Sequence, residues 1–68
     1  MTLNRTQLFN KLVSMSSVEE VKIDGDREVV INKYNGTFWI RVPNTVEYHY
    51  SNSVENAINL AIRMSHEL

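Results

Sequence analysis

Apolar and polar residues alternate in two runs, Glu28 to Tyr34 and Thr37 to Val42, with Asn35-Gly36 between them. A period of two on both sides of an Asn-Gly pair predicts a β-hairpin closed by a type I′ turn, because both central turn positions need positive φ. Such a turn sets Lys33 opposite Phe38, Asn32 opposite Trp39, Ile31 opposite Ile40, Val30 opposite Arg41 and Val29 opposite Val42. Side chains alternate across a strand. Val29, Ile31, Phe38, Ile40 and Val42 therefore share a core face, while Val30, Asn32, Tyr34, Thr37, Trp39 and Arg41 share the other. The second face is aromatic, and no core requirement explains it.

Toward the N-terminus the period lengthens. Leu8, Leu12 and Met15, flanked by Phe9 and Val13, form one broad apolar stripe and predict a helix from Arg5 to about Ser16. Asn4 and Gln7 have capping-box spacing, and Leu3 with Leu8 can form a hydrophobic staple across the cap. Ser14, Ser16 and Ser17 weaken the helix and end it. From Val18 the period is two again, with Val21 and Ile23 on one side and Glu20, Lys22 and Asp24 on the other. Asp24-Gly25-Asp26 is a turn signal in which Gly25 suits positive φ. A three-residue loop there puts Ile23 opposite Arg27, Lys22 opposite Glu28 and Val21 opposite Val29. That register keeps Val21 on the face of Val29 and Ile31.

Beyond the hairpin, Val42-Pro43-Asn44-Thr45 signals another turn. Val46, Tyr48 and Tyr50 then alternate with Glu47 and His49. A three-residue loop is expected, pairing Val42 with Val46, Arg41 with Glu47, Ile40 with Tyr48 and Trp39 with His49. The tyrosines then join the core face, and Arg41 and Glu47 form a cross-strand ion pair. A two-residue loop would instead bring Tyr48 near Trp39. Ser51, Asn52 and Ser53 are all candidate caps for a last helix, Asn52 and Glu55 having the box spacing. Val54, Ala57, Ile58, Leu60, Ala61, Ile62, Met64 and Leu68 give that helix a wide apolar sector. The expected fold is α+β: a single domain over residues 1–68, built as helix, four-stranded antiparallel meander and helix, in two layers with both helices on one sheet face.

Composition narrows the function classes. A chain of 68 residues without cysteine cannot rely on disulfides or zinc thiolates, so regular packing or self-association must supply its stability. The net charge of -1 and scattered basic residues lack the clustered lysine and arginine of a phosphate-driven nucleic-acid binder. Neither a signal-peptide run nor a membrane-length apolar stretch is present in the sequence, which points to a soluble, cytoplasmic protein.

Candidate chemistry is sparse. Asp24, Asp26 and Glu28 have oxygen ligands two apart, but a calcium loop needs its glycine at the sixth position, and Gly25 is second. His49 and His66 are the only histidines; the expected register places His49 on the open face beside Trp39 and His66 on the polar side of the last helix. Neither has a carboxylate at triad or metal spacing, and no serine sits in a nucleophile elbow. The sequence therefore reads as a non-enzyme without cofactor or metal. Val30, Tyr34, Thr37, Trp39, Arg41 and His49 are the candidate contact residues, since Trp, Tyr and Arg are enriched at binding hot spots. Their expected partner is another protein or a second copy of the chain in a homodimer. The alternative is a nucleic acid, with bases stacked on Trp39, Tyr34 and His49 beside Lys22 and Arg41. Glu20, Glu28 and Glu47 on the same face would oppose phosphate.

Val29-Val30-Ile31, then Gly36-Thr37-Phe38-Trp39-Ile40-Arg41-Val42-Pro43, then Ser53-Val54-Glu55-Asn56-Ala57-Ile58 resemble the HicB-type antitoxin domain of bacterial and phage genomes. The resemblance spans residues 29–68. It implies a hairpin ending in a Val-Pro step, a third strand, and a helix opening with a Ser-x-Glu-x-Ala-like pattern, in a small phage or mobile-element module that works by binding. Two features depart from that family. Asn44-Thr45-Val46 and Ser51-Asn52 replace its Pro-Gly-Cys-like loop and the glycine before its last helix, and a helix and strand precede the hairpin. The helix-first order is also similar to the double-stranded-RNA-binding domain and to the HicA toxin, without the lysine-rich helix start of the former or the Gly-Ser-His segment of the latter.

Overall fold

The capping box forms as expected. In a computed structural model, which describes residues 4–66, the Asn4 side chain accepts from the Gln7 N–H at 2.8 Å and the Gln7 side chain accepts from the Asn4 N–H at 3.0 Å. Helix α1 runs Arg5–Ser14, two residues short of expectation, because Met15 turns to extended backbone (φ -68°, ψ 137°). Its buried stripe is also narrower: Leu8, Leu12 and Met15 are buried while Phe9 and Val13 are exposed. Leu3, the other half of the expected staple, lies outside the described residues.

Four strands follow, β1 (Glu20–Asp24), β2 (Glu28–Tyr34), β3 (Thr37–Arg41) and β4 (Tyr48–Ser51), then helix α2 (Val54–His66). The sheet is an antiparallel meander in the order β1-β2-β3-β4. Helix α2 lies across it and α1 packs beside α2. One core cluster joins Leu8, Leu12 and Met15 of α1, Ala57, Ile58, Ala61 and Met64 of α2, and Val21, Val29, Ile31, Phe38, Ile40 and Val42 from the sheet. The α+β, two-layer architecture is the one read from the pattern. No helix among the described residues is long and apolar enough to cross a membrane.

The central hairpin has the expected register, from Tyr34 opposite Thr37 to Val30 opposite Arg41. Asn35 (φ 51°) and Gly36 (φ 77°) both take the left-handed conformation its turn requires. The flanking pairs differ. Between β1 and β2, Val21 faces Ile31 and Asp24 faces Glu28. The loop keeps three residues but slides one position, to Gly25-Asp26-Arg27, so the expected face parity survives. Gly25 does not take the positive φ expected of it. It is needed because a Cβ there would meet the Ser65 hydroxyl at 2.7 Å and the Ser65 carbonyl at 2.8 Å.

That close approach fastens the end of α2 to the sheet. The Asp26 and Arg27 N–H groups donate to the Ser65 carbonyl at 2.8 and 3.2 Å. Arg27 Nε donates to the Met64 carbonyl at 2.7 Å, and its guanidinium reaches the Glu47 carboxylate at 3.0 Å. Carbonyls in the last turn of a helix have no partner within it, and a turn with outward N–H groups satisfies them. Glu47 is thereby committed to Arg27, and the expected Arg41–Glu47 pair is replaced by Arg41–Glu20 at 3.5 Å.

Between β3 and β4 the register moves by one residue: Arg41 faces Tyr48, Ile40 faces His49, Trp39 faces Tyr50 and Phe38 faces Ser51. Pro43 and Asn44 (φ 68°) form a type II-like turn closed by the Thr45 N–H on the Val42 carbonyl at 3.3 Å. The Thr45 hydroxyl then donates to the Val42 carbonyl and accepts from the Glu47 N–H, holding an extra residue out of the ladder. A shift of one residue exchanges faces. Tyr48 and Tyr50 leave the expected core side, and His49 leaves the Trp39 side. The helix side of β4 carries His49 and the buried Ser51 instead, and the Ser51 hydroxyl accepts from the Asn56 side chain at 3.1 Å. The cap of α2 is Ser53, whose hydroxyl accepts from the Asn56 N–H. Asn52, expected to share that role, accepts from the Thr37 hydroxyl at 2.7 Å.

Candidate functional site

The face of the sheet turned away from both helices is assembled from every strand. Across its middle run Glu20, Asn32, Trp39 and Tyr50, which are cross-strand neighbours in that order. Beside them run Lys22, Val30, Arg41 and Tyr48. Tyr34 and Thr37 close the hairpin end. Trp39 lies between two tyrosines, its ring centroid 5.1 Å from Tyr50 and 6.1 Å from Tyr48, at interplanar angles of 42° and 40°. Tilted pairs at these separations suit the aromatic quadrupole. They also leave much of each ring in solvent: Trp39 is 38% exposed, Tyr48 61% and Tyr50 62%.

Of the residues read from the sequence as contact residues, the structure brings Val30, Tyr34, Thr37, Trp39 and Arg41 to this face. Val30 is buried within it, between Lys22 and Arg41 in the cross-strand row, and so serves as floor rather than contact surface. His49 is on the other side, opposite Ile40. The expectation that it sits beside Trp39 is corrected by the longer Val42-to-Glu47 loop. The expected register puts Tyr48 and Tyr50 on the core face; the observed one brings them here. The signal for them was their shared parity; which side that parity faced depended on one loop residue.

Electrostatics give the face a polarity. Arg41 donates from Nε to the Asn32 side chain at 3.4 Å and pairs with Glu20 at 3.5 Å, which leans its guanidinium toward the β1 side. Glu20, Lys22 and Asp24 line that side, and the tyrosines line the other. Next to Trp39 an open groove of about 400 Å³ is bounded by Arg41, Thr45, Val46, Glu47 and Tyr48. Val46 at its rim is 96% exposed. A smaller cleft of about 250 Å³ lies between α1, β1 and α2. Three of the polar groups that line it have partners: Arg5 donates to Asn59, the Ser65 hydroxyl donates to the Ile62 carbonyl, and His66 Nδ1 lies 3.7 Å from the Asp26 carboxylate.

Among the described residues, no group of three His, Cys, Asp or Glu side chains could hold a metal ion. Every buried side-chain nitrogen or oxygen described has a hydrogen-bond partner. Comparison with protein-family models, curated proteins and solved structures returns no match for this chain.

Proposed function

We propose that this protein is a non-enzymatic interaction module, an inhibitor, antitoxin-like factor or regulator, that binds a protein partner through the open sheet face centred on Trp39. One observation carries the reading: a half-exposed tryptophan is flanked by two exposed tyrosines on a sheet face that neither helix covers. Trp, Tyr and Arg are enriched at binding hot spots, Trp and Tyr because they bury much area with only two torsions to freeze. Arg41, already held by Asn32 and Glu20, is a preorganised polar contact at the edge of the aromatic cluster. The order β2, β3, β4, α2 is also the element order that the HicB-type resemblance implies.

The test compares capture from cells by immobilised wild-type protein, Trp39→Ala and Tyr50→Ala, with Val13→Ala on the outer face of α1 as control. Proteins held by wild type and control should be lost with both aromatic variants while circular dichroism stays native. Identical capture by all four sinks the proposal.

A second reading, nucleic-acid binding on the same face, gains from the observed register. Three neighbouring rings on an antiparallel sheet are a stacking platform, and Glu47 is withdrawn to Arg27. Glu20, Asp24 and Glu28 still outnumber Lys22 and Arg41 on that side, so phosphate attraction is weak and protein remains favoured. Salt-dependent retention on single-stranded oligonucleotide that Lys22→Ala and Arg41→Ala weaken would reverse the ranking.

A further inference from the structure

The two edges of the sheet are built differently. Edge strand β1 presents Glu20, Lys22 and Asp24 in exposed alternate positions. Charges on an edge are a common guard against pairing with another chain. If two β1 edges met antiparallel about Lys22, Lys22 would face Lys22, and Glu20 would face Asp24. In that register the charged pairs are all like-charged. An axis through Val21 or Ile23 would instead set Lys22 opposite Glu20 or Asp24. The guard on β1 is therefore its row of solvated charges rather than repulsion in every register. Edge strand β4, Tyr48-His49-Tyr50-Ser51, carries no carboxylate, lysine, arginine or proline, and its first three residues are exposed.

The ladder also shows which backbone groups of β4 point outward. The Val42 N–H donates to the Glu47 carbonyl at 3.3 Å, so Val42 and Glu47 form a hydrogen-bonded pair of the antiparallel register. Hydrogen-bonded and non-hydrogen-bonded pairs alternate along such a ladder. His49 with Ile40 and Ser51 with Phe38 are then hydrogen-bonded pairs. The N–H and C=O of Tyr48 and Tyr50 therefore face away from β3, along the edge where no strand follows.

We infer that β4 pairs antiparallel with β4 of a second copy, about a two-fold axis through His49, to make one continuous eight-stranded sheet. Tyr48 of one chain would exchange backbone hydrogen bonds with the partner's Tyr50, and the two His49 residues would form the close, non-hydrogen-bonded pair on the helix side. The contact is self-complementary and closes at two copies, as an isologous interface must. Joining β4 to β1 of a second copy would instead leave a free β1 and a free β4 and grow into a filament. On the open side the row Trp39-Tyr50 would run on into the partner's Tyr48, so each aromatic cluster becomes half of one wider surface. The inference rests on reading this side as a protein-contact surface, and it names the contact as strand addition by a second copy.

The chain has no cysteine, which makes cross-linking a clean test. In His49→Cys the two thiols would face each other across a non-hydrogen-bonded pair, with Cα atoms about 4.5 Å apart and within disulfide reach. Mild oxidation should convert this variant to a covalent dimer far faster than Asn10→Cys on the outer side of α1. Light scattering over a concentration series should give twice the monomer mass for wild type. His49→Lys, which puts two cations at the centre of the pair, should raise the dissociation constant by about tenfold or more. The reduced His49→Cys protein keeps the experiment decisive if the lysine variant fails to fold.

A wild-type monomer at every concentration overturns the inference. So does a dimer that His49→Lys leaves intact and His49→Cys does not trap, because that dimer forms elsewhere. Neither result touches the proposed partner-binding face, which stands or falls separately on the Trp39→Ala capture experiment.

Discussion

Strand β3 shows two environments at once. Phe38 and Ile40 are 2% and 0% exposed under the helices, whereas Trp39 between them is 38% exposed on the other side. Both faces carry large apolar side chains, yet only one is closed by a second layer. The helix face has one solution: Leu12, Ile58, Ala61 and Met64 fill the space above Ile31 and Ile40, all at 2% exposure or less. On the open face only Val30 reaches that level of burial, and the rings around it stay wet. Apolar surface without a covering layer is the usual mark of a contact surface in a small protein.

This contrast is sharpest where a large side chain is cut down. Ile40→Ala should cost about 2–5 kcal/mol, because the helices and strands around it cannot collapse into the space left. A core of this size rarely supplies more than about 3–5 kcal/mol of net stability, so the variant should be partly or wholly unfolded in urea titrations followed by Trp39 fluorescence. If Ile40→Ala proves nearly neutral, the two faces are not energetically distinct and the comparison fails.

A smaller loss should come from the seam that holds the covering layer in place. Gly25→Ala drives a methyl group to within 2.9 Å or less of three Ser65 atoms, one of them the backbone carbonyl that Asp26 and Arg27 bind. Backbone cannot rotate away, so the turn and the end of α2 must part, at about 1–3 kcal/mol. Hydrogen exchange should quicken first at the Asp26 and Arg27 amides. Unchanged exchange there would mean that the approach is not tight in solution.

On the open face, Trp39→Ala should cost about 1–3 kcal/mol, mainly the two tilted ring pairs. Its effect on partner capture should be far larger than its effect on urea midpoint, read by circular dichroism. Equal losses at Trp39 and Ile40 would make the open face part of the core.

How much of this was legible differs from turn to turn. At Asn35-Gly36 the signal is local and redundant: two residues that tolerate positive φ, with alternation on both sides, leave one register. The Asn4–Gln7 box is equally local, since its partners lie within one helical turn. The turn at Gly25 was visible, but its reason was not. That reason is Ser65, forty residues further along the chain. Strand β4 was the hardest element to place. Val46, Tyr48 and Tyr50 announce a common side, but an edge strand can turn either side inward. What decided it was the Thr45 hydroxyl holding one more residue in the loop, together with the buried Ser51, whose hydroxyl accepts from the Asn56 side chain at the start of α2. The aromatic site was therefore half legible: Trp39 and Tyr34 came from the hairpin, and Tyr48 and Tyr50 came only from long-range packing.

The smallest effect concerns how the end of α1 is tied to the segment that leads into β1. Lys11 of α1 donates to the Glu19 carboxylate at 2.8 Å, and the Ser16 N–H donates to its other oxygen at 3.0 Å. The Lys11 hydrogen bond first, and the Ser16 backbone bond next, hold the Glu19 carboxyl at about 2, below its ordinary 4.5. A folded-state value below the unfolded one means stability that is present above pH 4.5 and is lost as pH falls toward 2. Both side chains are well exposed, at 44% and 40%, so solvent and salt screen the pair and the effect stays small. Glu19→Gln should therefore lie slightly below wild type in thermal stability at neutral pH, with the gap closing through that window and narrowing in high salt. A gap that is constant from neutral pH to pH 2 would show that Glu19 acts through packing alone, leaving α1 attached to the layer by Leu8, Leu12 and Met15 rather than by charge.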